Sequence, residues 1–174
     1  MKDIISKEEA KELVDQFILE ENDEKEFKIT EINSSKLIHS NRLDLGFKLF
    51  YLNFRTKCNN LAKEVYLDHI KSFSFGRFTE KGNINKKKPE DFLDNFEKII
   101  INFKKYGFSE KISLIPVNTD NVILNGSHRV ATAIFLDKKI KTIELKSNIL
   151  NYNYKFFLKR NINISNLENS IKYF

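Results

Sequence analysis

The sequence predicts an α+β protein, and three observations carry that reading. Helical periodicity recurs along the chain, most clearly over residues 90–106, where Phe92, Phe96, Ile99, Ile100 and Phe103 share one face. Short β-type segments follow at 113–117 (SLIPV), 122–124 (VIL) and 141–145 (KTIEL), separated by a tight turn and a further helix. Gly (5) and Pro (2) are scarce among 174 residues and 41% are hydrophobic, so most of the chain is regular structure around a real core. This organises the chain as an N-terminal helical extension (1–72), an α+β domain (73–150) and a C-terminal helical tail (151–174).

Each element has its own signal. Ser6-Lys7-Glu8-Glu9 is a capping box: the serine hydroxyl accepts from the third helical N–H and Glu9 reaches back. A helix is expected over 7–21, with Leu13, Val14, Phe17 and Ile18 on one face, and the acidic run 20–26 as a solvated boundary. Residues 27–32 (FKITEI) read as a short strand or a linker. Residues 41–55 form a helix with a wide apolar face, and a second helix over 60–71 offers Leu61, Val65 and Ile70 to the core with Tyr66 alongside. The phenylalanines of 72–78 (SFSFGRF) suggest a strand interrupted at Gly76, and 79–89 reads as an exposed loop carrying Lys86, Lys87 and Lys88. Gly107 stops the helix over 90–106. Residues 118–121 (NTDN) are a turn, Ser127 opens a helix, and the tail is two helical pieces with Ser165 as a cap.

Composition bounds the function. The net charge of +6 is compatible with phosphate ligands, but the lysines are spread along the whole chain, which argues against a concentrated nucleic-acid face. The single cysteine, Cys58, and three scattered histidines give neither a disulfide nor a metal-ligand spacing. The N-terminus lacks a signal-peptide apolar region and no run reaches membrane-spanning length, so a cytoplasmic location and no membrane partner are expected.

The segment that carries chemistry is 122–135, VILNGSHRVATAIF. A strand turns through Gly126 directly into a helix start. Glycine supplies positive φ and lets a ligand approach the backbone. Free N–H groups and the helix dipole attract an anion there. Asn125, Gly126, Ser127, His128 and Arg129 are the candidate phosphate-binding residues, with Arg129 as a bidentate donor. Plain capping is the ordinary reading of a Gly before a Ser-opened helix. Arg and His in the first turn oppose the dipole, which points to a solvated surface or a nearby anion.

The wider segment SLIPVNTDNVILNGSHRVATAIFLDKKI resembles the signature of the ParB/sulfiredoxin superfamily. Pro116-Val117 match its "P-[IV]-x-V" strand, Asn125 to Arg129 its "D/N-G-x-H-R" box, and Ala131 and Ala133 its Ala-rich helix. The helix over 91–106 followed by Gly107 is similar to the family's lead-in, and the match covers 73–145. The residues before it resemble a helical extension seen in proteins of bacterial surface-polysaccharide loci. The resemblance implies nucleotide phosphates at the box. Ser127 stands where sulfiredoxins carry their catalytic Cys, which argues against sulfinic-acid repair, and only a short tail follows Leu145, so a partition role, which continues into a DNA-binding domain, is not expected.

What remains is similarity to kinases that phosphorylate free serine. That implies ATP or ADP with Mg²⁺ and a small hydroxyl-bearing acceptor, either an amino acid or a surface-polysaccharide precursor. Those kinases place a glutamate on the strand–loop before the helix, and Glu80 in FTEKG is the corresponding candidate base, with a solvated loop Glu as its ordinary reading. His128 joins it as a catalytic candidate. Asp120 is a poorer base because NTDN reads as a turn. Arg77 and Lys81 flank Glu80 as phosphate holders, and Lys86, Lys87 and Lys88 read first as solvated. Arg42 and Asp44 either pair locally or reach the acceptor, and His69 reads as surface or core before acid or base. A nucleotide-binding regulator without turnover and a DNA-binding protein are the competing readings. The oligomeric state is not encoded in these patterns.

Overall fold

A computed structural model describes residues 3–79, 86–147 and 151–174. The chain order is β1 (Ile4–Ser6), α1 (Lys7–Lys11), α2 (Gln16–Leu19), β2 (Glu26–Asn33), a 3₁₀ turn (Ser34–Leu37), α3 (Asp44–Phe54), α4 (Asn59–Phe73), α5 (Pro89–Tyr106), β3 (Ile115–Val117), α6 (Ser127–Phe135), β4 (Lys139–Glu144), α7 (Tyr154–Leu158) and α8 (Ile164–Ile171). The class is α+β, with a small mixed sheet in the order β1-β2-β4-β3. β1–β2 and β2–β4 are antiparallel, and β3–β4 is parallel.

Alternation along the strands divides the core. In the β2–β4 register Ile29 faces Ile143 and Ile32 faces Ile140. The first pair turns to the side covered by α1 and α2, where Ile5, Val14, Ile18, Leu19 and Phe27 are buried. The second turns to the side covered by α3 to α6, around Leu49, Tyr66, Phe96, Ile100 and Val130. A third cluster joins α3 and α4 to the tail through Phe47, Phe50, Val65, Phe157 and Leu167. The residues before 73 therefore supply two of the four strands as well as helices.

The Ser6–Glu9 capping box forms, but the helix expected over 7–21 is two short ones. The Leu13 carbonyl accepts from the Leu114 N–H, a tertiary contact in place of the helical i+4 bond. The strand expected over 72–78 is absent. α4 runs on to Phe73, whose ring packs on Tyr152, Phe156 and Phe157, and Phe75, Gly76 and Phe78 take positive φ in a turn. Residues 122–124 form an isolated Val117–Ile123 bridge rather than a strand. In the tail, Asn163 rather than Ser165 caps α8, accepting from the N–H groups of Ser165 and Asn166. Gly107 (φ +73°) ends α5 as expected. Among the described residues no helix is long and apolar enough to cross a membrane.

Candidate functional site

Local hydrogen bonding builds the turn that opens α6. The Asn118 side-chain oxygen accepts from the Asp120 and Val122 N–H groups, and Leu124 N–H returns to the Pro116 carbonyl. The chain thus runs back beside β3. The Asn125 oxygen accepts from Gly126 N–H at 2.7 Å. Gly126, at φ +83°, is the N-cap, and no side chain caps the helix. The positive φ favours glycine at 126, and a Cβ there would lie 2.8 Å from Arg129 Nη2 and 2.9 Å from Ile115 Cδ1, so those side-chain ends would have to shift. The first helical bond runs from Val130 N–H to the Gly126 carbonyl, and the N–H groups before it have no intrahelical partner.

One side of this turn faces a cavity of about 360 Å³. Asn125, Ser127 and His128 line it from the turn, and Arg42, Asp44, Lys48 and His69 from α3, α4 and the chain before them. Phe17, Phe73 and Tyr152 give it aromatic walls, with Glu21 exposed at its rim.

The wall opposite the turn is an ionic network. Arg42, Asp44 and Lys48 side chains are all 2–3% exposed. Arg42 Nε and Nη2 donate to the two Asp44 oxygens at 2.8 and 2.9 Å, a bidentate pair, and Nη1 donates to the Ile123 carbonyl. The guanidinium also lies over the Tyr152 ring, 5.1 Å from its centroid. Lys48 Nζ donates to Asp44 Oδ2 and to the Asp44 carbonyl, both at 3.1 Å, and lies 3.3 Å from His69 Nε2. His69 Nδ1 lies 3.1 Å from the Tyr66 carbonyl. Tyr66 in turn places its hydroxyl 2.8 Å from His128 Nε2.

The charges follow from these contacts. Burial alone would raise the Asp44 carboxyl, but Arg42 and Lys48 outweigh it and hold the group well below the ordinary carboxylate range. Burial, reinforced by the Lys48 charge, pushes His69 well below the ordinary imidazole value. His128 is lowered in the same way by burial, Lys48 and Lys86. Both imidazoles are neutral at pH 7. Among the described residues, the buried wall therefore sets two cations and one carboxylate beside a helix N-terminus.

The expected site residues divide sharply. Asn125, Ser127, His128, Arg42, Asp44 and His69 come together, and Arg42 and Asp44 pair directly. Arg129 does not join them. Its guanidinium donates to Ser113 Oγ and lines a separate groove with Asp15, while Asn125 Nδ2 bonds Asp15 Oδ2. Glu80 and Lys81 lie outside the described residues. Arg77 is exposed and Asp120 sits exposed in its turn. Lys86 is 6% exposed with its ammonium over the Phe92 ring, unlike the solvated loop residue expected.

Lys48 and Tyr66 are the site members that the sequence reading missed. Lys48 had a signal: it is the lone cation inside LDLGFKLFYLNF, four residues after Asp44. Tyr66 had none, since an aromatic at helical spacing reads as core. No family model matches the chain, and neither a curated protein nor a solved structure matches it.

Proposed function

We propose that this cavity binds the phosphates of a nucleotide and that the protein transfers a phosphoryl group from ATP or ADP to a hydroxyl of a small metabolite, on a ParB/sulfiredoxin-like domain. The observation that carries the reading is the placing of Arg42 and Lys48, both buried, in one cavity with the open N-terminus of α6. Buried cations beside a helix start favour a multiply charged anion over a neutral ligand. Such an anion raises the proton affinity of the neighbouring imidazole, and that suits His128 to take the acceptor's proton. The acceptor oxygen then forms its bond to phosphorus as the bridging P–O bond of the nucleotide breaks, and the nucleotide leaves with the bond's electron pair.

Asp44 does not fit a Mg²⁺ ligand, because both of its oxygens are already held by Arg42 and Lys48. Among the described residues no group of three or more His, Cys, Asp or Glu could hold a metal. The acceptor class, an amino acid or a surface-polysaccharide precursor, rests on the sequence resemblance.

The test is turnover. Purified protein is incubated with ATP, ADP or CTP in turn, with and without Mg²⁺, and with pools of amino acids and sugar alcohols, and is followed by phosphorus NMR. A new phosphate ester that His128→Gln abolishes is the expected result. Nucleotide binding with no ester from any pool would favour a regulator without turnover, and no binding of any nucleotide would remove the reading.

A further inference from the structure

We propose that Tyr152, from the C-terminal tail, is a ligand-binding residue of the cavity and donates its phenol hydroxyl to an anionic oxygen of the bound phosphate group. This rests on the reading above that the cavity binds phosphates, but neither on a nucleotide nor on phosphoryl transfer.

The tail is tied into the charged wall at this residue. Tyr152 N–H donates to the Asn41 carbonyl at 2.7 Å, and Leu43 N–H donates to the Tyr152 carbonyl at 3.1 Å. The two bonds form an isolated parallel bridge that sets Tyr152 beside Arg42. The Arg42 guanidinium lies over the Tyr152 ring, 5.1 Å from its centroid. Phe73 meets the ring edge-on at 4.5 Å, and Phe156 packs on it at 4.9 Å. Backbone and ring are thus both fixed by contacts that make no use of the hydroxyl. The side chain lines the cavity together with Ser127 and His128.

The hydroxyl itself is left over. Among the described residues no hydrogen bond reaches it, although a phenol in such surroundings ordinarily finds a partner. It is not sealed in either: among the described residues, Asn22 Oδ1 is the side-chain polar atom that is both fully buried and without a partner. The phenol oxygen is therefore within reach of a ligand. Burial raises Tyr152 above the ordinary phenol value, with Arg42 opposing and Asp44 reinforcing, so the group keeps its proton at pH 7 and can donate. Arg42 and Lys48 exceed Asp44 by one positive charge in the same wall, so an anion best supplies the oxygen that the phenol meets there.

Tyr152→Phe keeps the ring against Arg42 and Phe73 and removes only the hydroxyl. The ligand-free variant should therefore unfold at the wild-type urea midpoint. Calorimetry at pH 7 then compares wild type, Tyr152→Phe and Tyr154→Phe, an exposed tyrosine of the same tail, with pyrophosphate and with ATP as ligands. Tyr152→Phe should bind both about tenfold or more weakly, the order expected for a hydrogen bond to a charged group, and Tyr154→Phe should match wild type. Unchanged affinity in Tyr152→Phe would overturn the proposal and leave the phosphate reading standing. A lowered urea midpoint without ligand, or an equal loss of affinity in both variants, would make the tyrosine structural and would also overturn it. Pyrophosphate binding that depends on Tyr152, with no binding of ATP, would remove the nucleotide reading and leave the role of Tyr152 standing. No binding of either anion to the wild type would overturn both.

Discussion

The two sides of the turn at residues 125–129 are built differently. On the cavity side, Ser127 and His128 face a buried network of Arg42, Asp44, Lys48 and His69. On the far side, Arg129 holds Ser113, while Asn125 stands at the boundary, lining the cavity and donating to an exposed Asp15. Read as a string, N-G-S-H-R is five consecutive phosphate contacts. Folded, it is a helix start whose cavity-facing side chains are opposed by a brace. Arg129 Nη2 lies where a Cβ at Gly126 would point, which ties the brace to the glycine. Side chains of successive residues leave a helix start in different directions, so a short motif divides between two environments.

The largest expected difference between the two sides comes from their carboxylates. Asp44→Asn removes the buried carboxylate that Arg42 and Lys48 share, and urea unfolding should show a loss of about 3–5 kcal/mol. Asp15→Asn, at an exposed hydrogen bond, should cost less than about 1 kcal/mol. Equal losses would show that the network is no more demanding than a surface contact.

The next effect is the pH dependence of stability. Only the cavity side carries histidines, and both are held below their ordinary value. The unfolded chain therefore takes up protons first as the pH falls. Stability should be constant above about pH 6.5 and should drop by up to about 2 kcal/mol per histidine on reaching pH 5. The Asp44 contribution has the same sign but persists until the pH falls below the ordinary carboxylate value, since its carboxyl is also depressed. Urea midpoints that stay flat from pH 7 to pH 5 would contradict imidazoles held below their ordinary value.

The sequence was most legible where one local rule decides the outcome. The Ser6–Glu9 box, the apolar stripe and Gly107 stop of α5, and the turn at 118–121 all follow from near neighbours. It was least legible where a distant group decides. The first helix ends at Lys11, and beyond it the Leu13 carbonyl accepts from the distant Leu114 N–H. The phenylalanines of 72–78 mimic strand alternation, yet Phe73 belongs to α4 because Tyr152 and the α7 rings receive it there. β1 is only three residues long and exists through its pairing with β2. In the site, the helix start could be found from Gly126 and Ser127. That Ser127 and His128 meet Lys48 and His69 depends on how α3 and α4 pack on α6, and no spacing encodes that.

The most direct test of the account is the affinity for ATP by calorimetry, comparing Lys48→Met with Arg129→Lys. Lys48→Met keeps the Arg42–Asp44 pair and removes one cation from the cavity, so binding should weaken by about tenfold or more, the order expected for a charged contact. Arg129→Lys acts on the brace and should leave the affinity within about twofold, below the ~1.4 kcal/mol that a tenfold change represents. Affinity that falls with Arg129 and ignores Lys48 would place the anion on the other side of the turn and contradict the assignment of this cavity.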